Sequence, residues 1–341
     1  MPLRFHRNQA SDFEMKGFQI PALLLIVLVS FIPAGCNRAN LREVMQKNIP
    51  ESGGSPKIIA DYQPWFGDPD HINVGYNSSD PGVIRKQIEQ AKNMGIYAFA
   101  VDWYGDRKPF LDRSTAVLAQ VASQTQFHFA LMYDETEEDT GHATEDALDA
   151  LDKAYKQYIG PDAPVRNAYL LYQGRPMIFV FPKRGRTNWD QVRQAVNNWE
   201  SPPWLIYKDD PPPEYAKDFD GEYAWVHPSH KWMADGSDWG REYLENFYLK
   251  MKTKHPDKIV VGGAWPAFND ARASWSLNRH MDARCGKTFE DTLSMFRKYF
   301  DDSHPLPFLM IATWNDYEEG TAIEAGLPQC GRNNATAGSG S

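Results

Sequence analysis

Between residues 57 and 314 the apolar positions follow two alternating rhythms: short, nearly continuous apolar runs, and longer stretches with apolar residues three and four apart. The first rhythm predicts strands buried on both faces, the second helices that bury one stripe. Residues 57–65 (KIIADYQPW) form the first run. Asp80-Pro81 then offers a helix N-cap with Pro at the first helical position, Ile84, Ile88 and Ala91 share one face, and Gly95 closes the helix. Residues 96–104 (IYAFAVDWY) give strand two, and a helix through Val117, Leu118 and Val121 leads to strand three at 127–133.

The alternation continues to the end of the pattern. Thr144 is a candidate cap for a helix carrying Leu148, Leu151, Tyr155 and Tyr158, and strand four falls within 168–181, with a turn signal at Gln173-Gly174. Asn188 starts a helix with Val192, Val196 and Trp199. Strand five is 204–208, strand six 222–227 and strand seven 258–265. Asp238 is placed to cap the helix of Tyr243, Phe247 and Met251, and the helix of Phe289, Leu293, Phe296 and Phe300 precedes strand eight at 307–314. Eight strands alternating with about seven helices predict parallel βα units closed into a (β/α)8 TIM barrel over residues 57–327. The eighth helix is missing or replaced, or the chain continues, because residues 328–341 end in linker-like ATAGSGS and read as a flexible tail.

The segment before the barrel has a different character. Residues 20–32 are a 13-residue apolar run, long enough for a signal-peptide core and too short to cross about 30 Å of hydrocarbon as a helix. It ends in Pro33-Ala34-Gly35-Cys36, which resembles a bacterial lipobox with Pro in place of the usual aliphatic residue. Residues 1–36 are therefore expected to be an export signal, with Cys36 as the lipidated residue, and 37–56 a polar tether. Such a protein is exported and lipid-anchored in the bacterial cell envelope. An ordinary secretory signal with an incidental Cys is the alternative.

Composition narrows the function classes. A net charge of −9 without a basic block argues against nucleic-acid binding. Cys285 and Cys330 could pair in an oxidising compartment, but they form no metal pattern. No metal or other cofactor is expected; His227 and His230 are a weak pair without an evident third ligand. Aromatic residues make up 13% of the chain, enough to furnish sugar-stacking platforms as well as a core.

In a (β/α)8 barrel the active site forms where the strands end, and here those ends carry carboxylates and Trp together. Asp316 and Glu319, just past strand eight, can point at the mouth as a pair: Glu319 as the acid that protonates a leaving oxygen, Asp316 as base or nucleophile. The competing reading makes Asp316 a loop-bonding residue and Glu319 a solvated one. Asp102 reads as a sugar-hydroxyl ligand or an internal partner. Trp65, Trp103 and Trp265 are stacking surfaces or core; Tyr62, Glu135, Trp314 and Asn315 complete the expected substrate-binding set.

Strand eight also carries a signature. Residues 312–324 (ATWNDYEEGTAIE) resemble the W-N-[DE]-x-x-E-G-T-x-I-E segment of glycoside hydrolase family 99 and the W-N-D-Y segment of family 71. Residues 61–67 (DYQPWFG) and Asp102-Trp103-Tyr104 are similar to the ends of the family 99 first and second strands. The resemblance implies a metal-independent (β/α)8 enzyme acting on α-mannans, or on α-1,3-glucans as in family 71. It implies Asp316 as first catalytic carboxylate and Glu319 as general acid. In family 99 the first carboxylate is a Glu that helps the substrate's 2-hydroxyl attack; Asp316 is one methylene shorter and closer to the family 71 pattern. The expected protein is a monomeric, endo-acting hydrolase of α-linked oligo- or polysaccharides. Its rivals are a noncatalytic glycan-binding surface lipoprotein on a degenerate barrel and a structural protein of the envelope.

Overall fold

The computed structural model describes residues 41–49, 54–136, 141–183, 186–227 and 236–327. Eight parallel strands close into a barrel: β1 (Lys57–Tyr62), β2 (Ala98–Trp103), β3 (His128–Asp134), β4 (Arg175–Phe181), β5 (Trp204–Lys208), β6 (Gly221–Tyr223), β7 (Ile259–Ala264) and β8 (Phe308–Ile311). Each pairs with its sequence neighbours, and β8 returns to β1 through Lys57↔Phe308 and Ala60↔Ile311. The (β/α)8 class expected from the alternating pattern is the class observed. Strand five matches the sequence reading to the residue, and the apolar runs of strands one, two, six, seven and eight extend past the hydrogen-bonded strands into the loops at the mouth.

Seven helices accompany the strands among the described residues: α1 (Leu41–Asn48), α2 (Pro81–Asn93), α3 (Pro109–Thr125), α4 (Ala143–Ala154), α5 (Trp189–Val196), α6 (Arg241–Thr253) and α7 (Lys287–Ser294). No α-helix follows β8 up to Leu327, where turns take its place. Residues 41–48 correct the tether reading: they form α1, which packs against α7 and buries Leu41 and Met45. Cys36 and the export signal lie outside the described residues, as do His230, Cys330 and the tail from 328. Within the described part no helix is long and apolar enough to cross a membrane.

Local chemistry explains most boundaries. Asp80 caps α2, its carboxylate accepting from the N–H of Gly82 at 2.7 Å and of Val83 at 3.4 Å, and Pro81 takes the first position. Asp80→Ala should therefore cost about 1 kcal/mol, read as a fall of roughly 2–4 °C in a thermal melt. Asn188 caps α5 through Gln191 N–H. Two expected caps are not caps. Thr144 lies inside α4, and its hydroxyl accepts from Asn188 N–H; Asp238 bonds Gly240 N–H one turn ahead of α6, which starts at Arg241. Leu171–Tyr172 folds back antiparallel on β4, with Gln173 at φ 49° and Gly174 at φ 80°, the left-handed pair that a tight two-residue hairpin needs.

Candidate active site

Strand alternation decides which side chains reach the mouth, because successive residues point to opposite faces and register fixes which faces match. Asp61 pairs with Ala100 and Asp102 with Met132, so Asp61, Asp102 and Asp134 share the barrel's inner face on three adjacent strands. All three are buried, and each keeps one carboxylate oxygen, Oδ1, shut from solvent without a protein partner. Gln63 Nε2 donates to the other oxygen of Asp61 at 2.6 Å. Lys183 Nζ stands 3.4 Å from Asp134 Oδ2, and burial and the charges of Asp102 and Asp134 hold the Tyr104 hydroxyl well above the usual phenol range. Across the mouth, Lys208 lies over the Phe181 ring at 3.7 Å, with Trp225 edge-on to that ring.

Removing several carboxyls from water at close quarters disfavours their ionised forms. Burial, and then the charge of Asp102, push Asp61 well above the ordinary carboxylate range; Asp316 and Glu319 add to the effect. Asp102 is raised well above it by burial and then by Asp134. Asp134 is pushed up to about 6 by burial, although Lys183 opposes the change. Burial lowers Lys208, with Asp209 opposing.

The loop after β8 brings two further acids to this place. Asp316 N–H donates to Thr313 Oγ1 at 2.7 Å, and Asp316 Oδ1 accepts from the N–H groups of Glu318 and Glu319 at 2.9 and 2.8 Å. The turn so formed needs Gly320 at φ 67°, where an added Cβ would also crowd the Asn269 backbone. Glu319 is half-buried, and its Oε1 accepts from Trp275 Nε1 at 2.9 Å. Asp316 is raised well above the ordinary range by burial and then by the Glu319 charge, against the pull of the two N–H donors. Glu319 is raised by burial, with Trp275 and Arg279 opposing. Asp316 is thus both the loop-bonding residue of the bland reading and a member of the acid cluster.

Other residues expected at the site hold the fold. Tyr62 faces α2 and donates to Gln87 Oε1 at 2.8 Å; Trp103 points outward and donates to Asp112 Oδ1 at 3.1 Å. Both follow from alternation, since their neighbours Asp61 and Asp102 take the inner face. Glu135 is buried and accepts from Lys183 and Thr187 N–H, bracing the loop after β4. Trp265 is buried and donates to Trp239 O; Trp314 is buried beside Phe99. Asn315 clamps the β8 loop to the β1 loop, accepting from Gln63 N–H at 2.8 Å and donating to Gln63 O at 3.0 Å. Of the expected aromatic set, Trp65 stacks on His71 at 4.4 Å and lies edge-on to Trp275, the residue that bonds Glu319.

The reading from sequence passed over Asp61, Asp134, Lys183, Lys208 and Trp275. Parity counted from Asp102 finds the first two; the lysines and Trp275 sit where no rhythm marks them. His227 stacks flat on Tyr243 at 4.6 Å. Asp210, Glu222 and His255 form a cluster with metal-ligand spacing, but Lys250 Nζ already bonds Asp210 and Glu222 at 2.7 Å each and supplies the cation. Cys285 is disulfide-bonded.

No protein-family model matches the chain, and no curated protein does. Solved structures do match. Two are of the family 99 endo-α-mannosidase of Bacteroides thetaiotaomicron: one in complex with bis-tris-propane (18% identity, TM-score 0.59, covering 79% of this chain and 87% of that one), and a second (18%, 0.58, 78% and 87%). A glycoside hydrolase-like protein matches at 13% identity and TM-score 0.55, over 82% of this chain and 92% of its own. At these identities the likeness establishes the barrel fold.

Proposed function

We propose that the protein is a glycoside hydrolase that cleaves α-linked glycans internally, with Glu319 as proton donor and Asp316 as the partner carboxyl that works at the anomeric carbon. The observation that carries this reading is the pair itself: Asp316 Oδ1 accepts the N–H of Glu319, so the two acids share one turn, and each charge makes the other acid harder to ionise. A pair holding one proton between its members is what hydrolysis through an oxocarbenium-like state uses. The proton passes from Glu319 to the leaving oxygen as the carbon–oxygen bond breaks. Water then supplies hydroxyl to the anomeric carbon and returns a proton to the pair. The partnerless oxygens of Asp61, Asp102 and Asp134 are acceptors or donors for sugar hydroxyls, according to their protonation. The structural likeness to an endo-α-mannosidase and the signature around Trp314 support α-mannan or α-glucan as substrate.

The deciding experiment is a screen of α-mannans and α-glucans for new reducing ends, with Glu319→Gln as control. Release that disappears in the variant supports the hydrolase; saccharide binding without release from any polymer makes the protein a noncatalytic glycan binder. The export reading is part of the same proposal: Cys36 carries the lipid that holds the barrel outside the cytoplasmic membrane. Cys36→Ser should move the protein from the membrane fraction to the soluble fraction, while a wild-type protein already soluble after export overturns the anchor.

A further inference from the structure

The loop after β7 displays a tryptophan that packing does not account for. Phe268–Asn269 and His280–Met281 pair as a short ribbon, and the intervening residues wrap around Asp270, whose fully buried carboxylate accepts from Ser276 Oγ, Leu277 N–H, Arg279 N–H and Arg279 Nε at 2.8–3.1 Å. The loop so bonded holds Trp275 with 41% of its surface exposed and Leu277 with 58%. Large apolar side chains fixed in solvent beside a polar site mark a contact surface. Trp275 is further fixed by its bond to Glu319 Oε1 and by edge contacts to Trp65 and His71; His71 Nδ1 in turn lies 2.7 Å from Glu318 Oε2. Asp316 is buried deeper in the same turn. A group bonded to the oxygen that Glu319 protonates, and directed toward solvent, therefore meets the Trp275 ring.

Resting on the hydrolase reading above, we propose that Trp275 is the wall of the leaving-group subsite, a binding and positioning residue. Its ring stacks on the departing pyranose, while its N–H fixes Glu319 Oε1 and leaves Oε2 to carry the proton. An aromatic face suits the apolar face of a sugar ring, and a donor on one oxygen prevents the carboxyl from rotating away. The N–H also favours the ionised form of Glu319, so its removal should make Glu319 harder to ionise. The other charged groups that act on Glu319 are Asp316, Asp61, Asp270, Arg279, Lys183 and Lys208, and all stay in place when residue 275 alone is changed.

The test compares Trp275→Phe, which keeps a ring and loses the donor, with Trp275→Ala, which loses both. Titration of the Glu319 carboxyl by carbon-13 NMR should move to higher pH in both variants. Affinity for α-mannan and α-1,3-glucan oligosaccharides, by calorimetry, should hold within about twofold in Trp275→Phe and fall roughly tenfold in Trp275→Ala, the order of one aromatic contact. In turnover assays the alanine variant should raise KM and the basic limb of the pH profile should move upward in both. Unchanged Glu319 titration in both variants overturns the assignment even if the protein hydrolyses glycans. Unchanged oligosaccharide affinity in Trp275→Ala overturns the stacking role. A shifted Glu319 in a protein that releases no reducing ends supports the contact and defeats the hydrolase reading instead.

Discussion

Glu319→Gln is expected to lower turnover by about a thousandfold, within the range of about 10²–10⁴ that a positioned general acid contributes. Glycan affinity should stay within a few-fold of wild type. The amide keeps the size of the carboxyl, and its carbonyl can still accept the Trp275 N–H, so the loop has no reason to move. What it lacks is a proton that can be given up. The expectation has a sharper form: an aryl glycoside with an acidic leaving group needs no protonation and should recover much of the lost rate in Glu319→Gln. Asp316→Asn should lose rate by a similar factor and should not recover on the activated substrate, because its part is played at the anomeric carbon. The asparagine carbonyl can accept the N–H groups of Glu318 and Glu319 as the carboxylate does, which separates loss of charge from loss of the turn. Equal rescue of both variants by the aryl leaving group would sink the division of roles.

The barrel was legible because it is written in periodicity, and the site only in part because it is written in parity and in contacts. Apolar runs broad enough to be buried on both faces announce parallel strands, and Asp80-Pro81 and Asn188 announce helix starts by their own side-chain chemistry. The helix Leu41–Asn48 has no such advantage: eight residues are too few to be stable alone, and its helicity depends on docking Leu41 and Met45 against a helix more than two hundred residues away. At the mouth, reading every strand-end Trp and acid as a ligand ignored the period of two. Once Asp102 faces inward, Trp103 cannot, and the same rule exchanges Glu135 for Asp134 and Tyr62 for Asp61. Trp275 reaches Glu319 from 44 residues away through a loop organised by Asp270, an arrangement that no local pattern encodes.

Asp61→Asn is expected to stabilise the fold at pH 7–8 and so to raise the melting temperature by a few degrees, because it removes a carboxyl whose proton the fold must retain there. The gain should vanish near pH 4. The sign follows from linkage. Burial and the Asp102 charge raise Asp61 well above its ordinary 3.8 in the fold. Above that ordinary value the unfolded chain has released the proton while the folded one retains it, so stability falls as pH rises. Below it both states are protonated and the penalty is absent. Asn does not titrate, its carbonyl can accept the Gln63 Nε2 bond, and no cation loses a partner, since Gln63 is the only bonded neighbour of that carboxyl among the described residues. Asp134 has the same sign, with its loss of stability confined between 3.8 and about 6, but Lys183 opposes it there and would lose its ion pair with Asp134 on substitution. Thermal melts of wild type and Asp61→Asn at pH 4 and pH 8 decide the matter: a variant no more stable than wild type at pH 8, or equally favoured at both, refutes the argument. A neutral Asp61 puts no charge beside Asp316 and Glu319, so the limbs of the pH profile of turnover should keep their places in the variant while its stability curve changes.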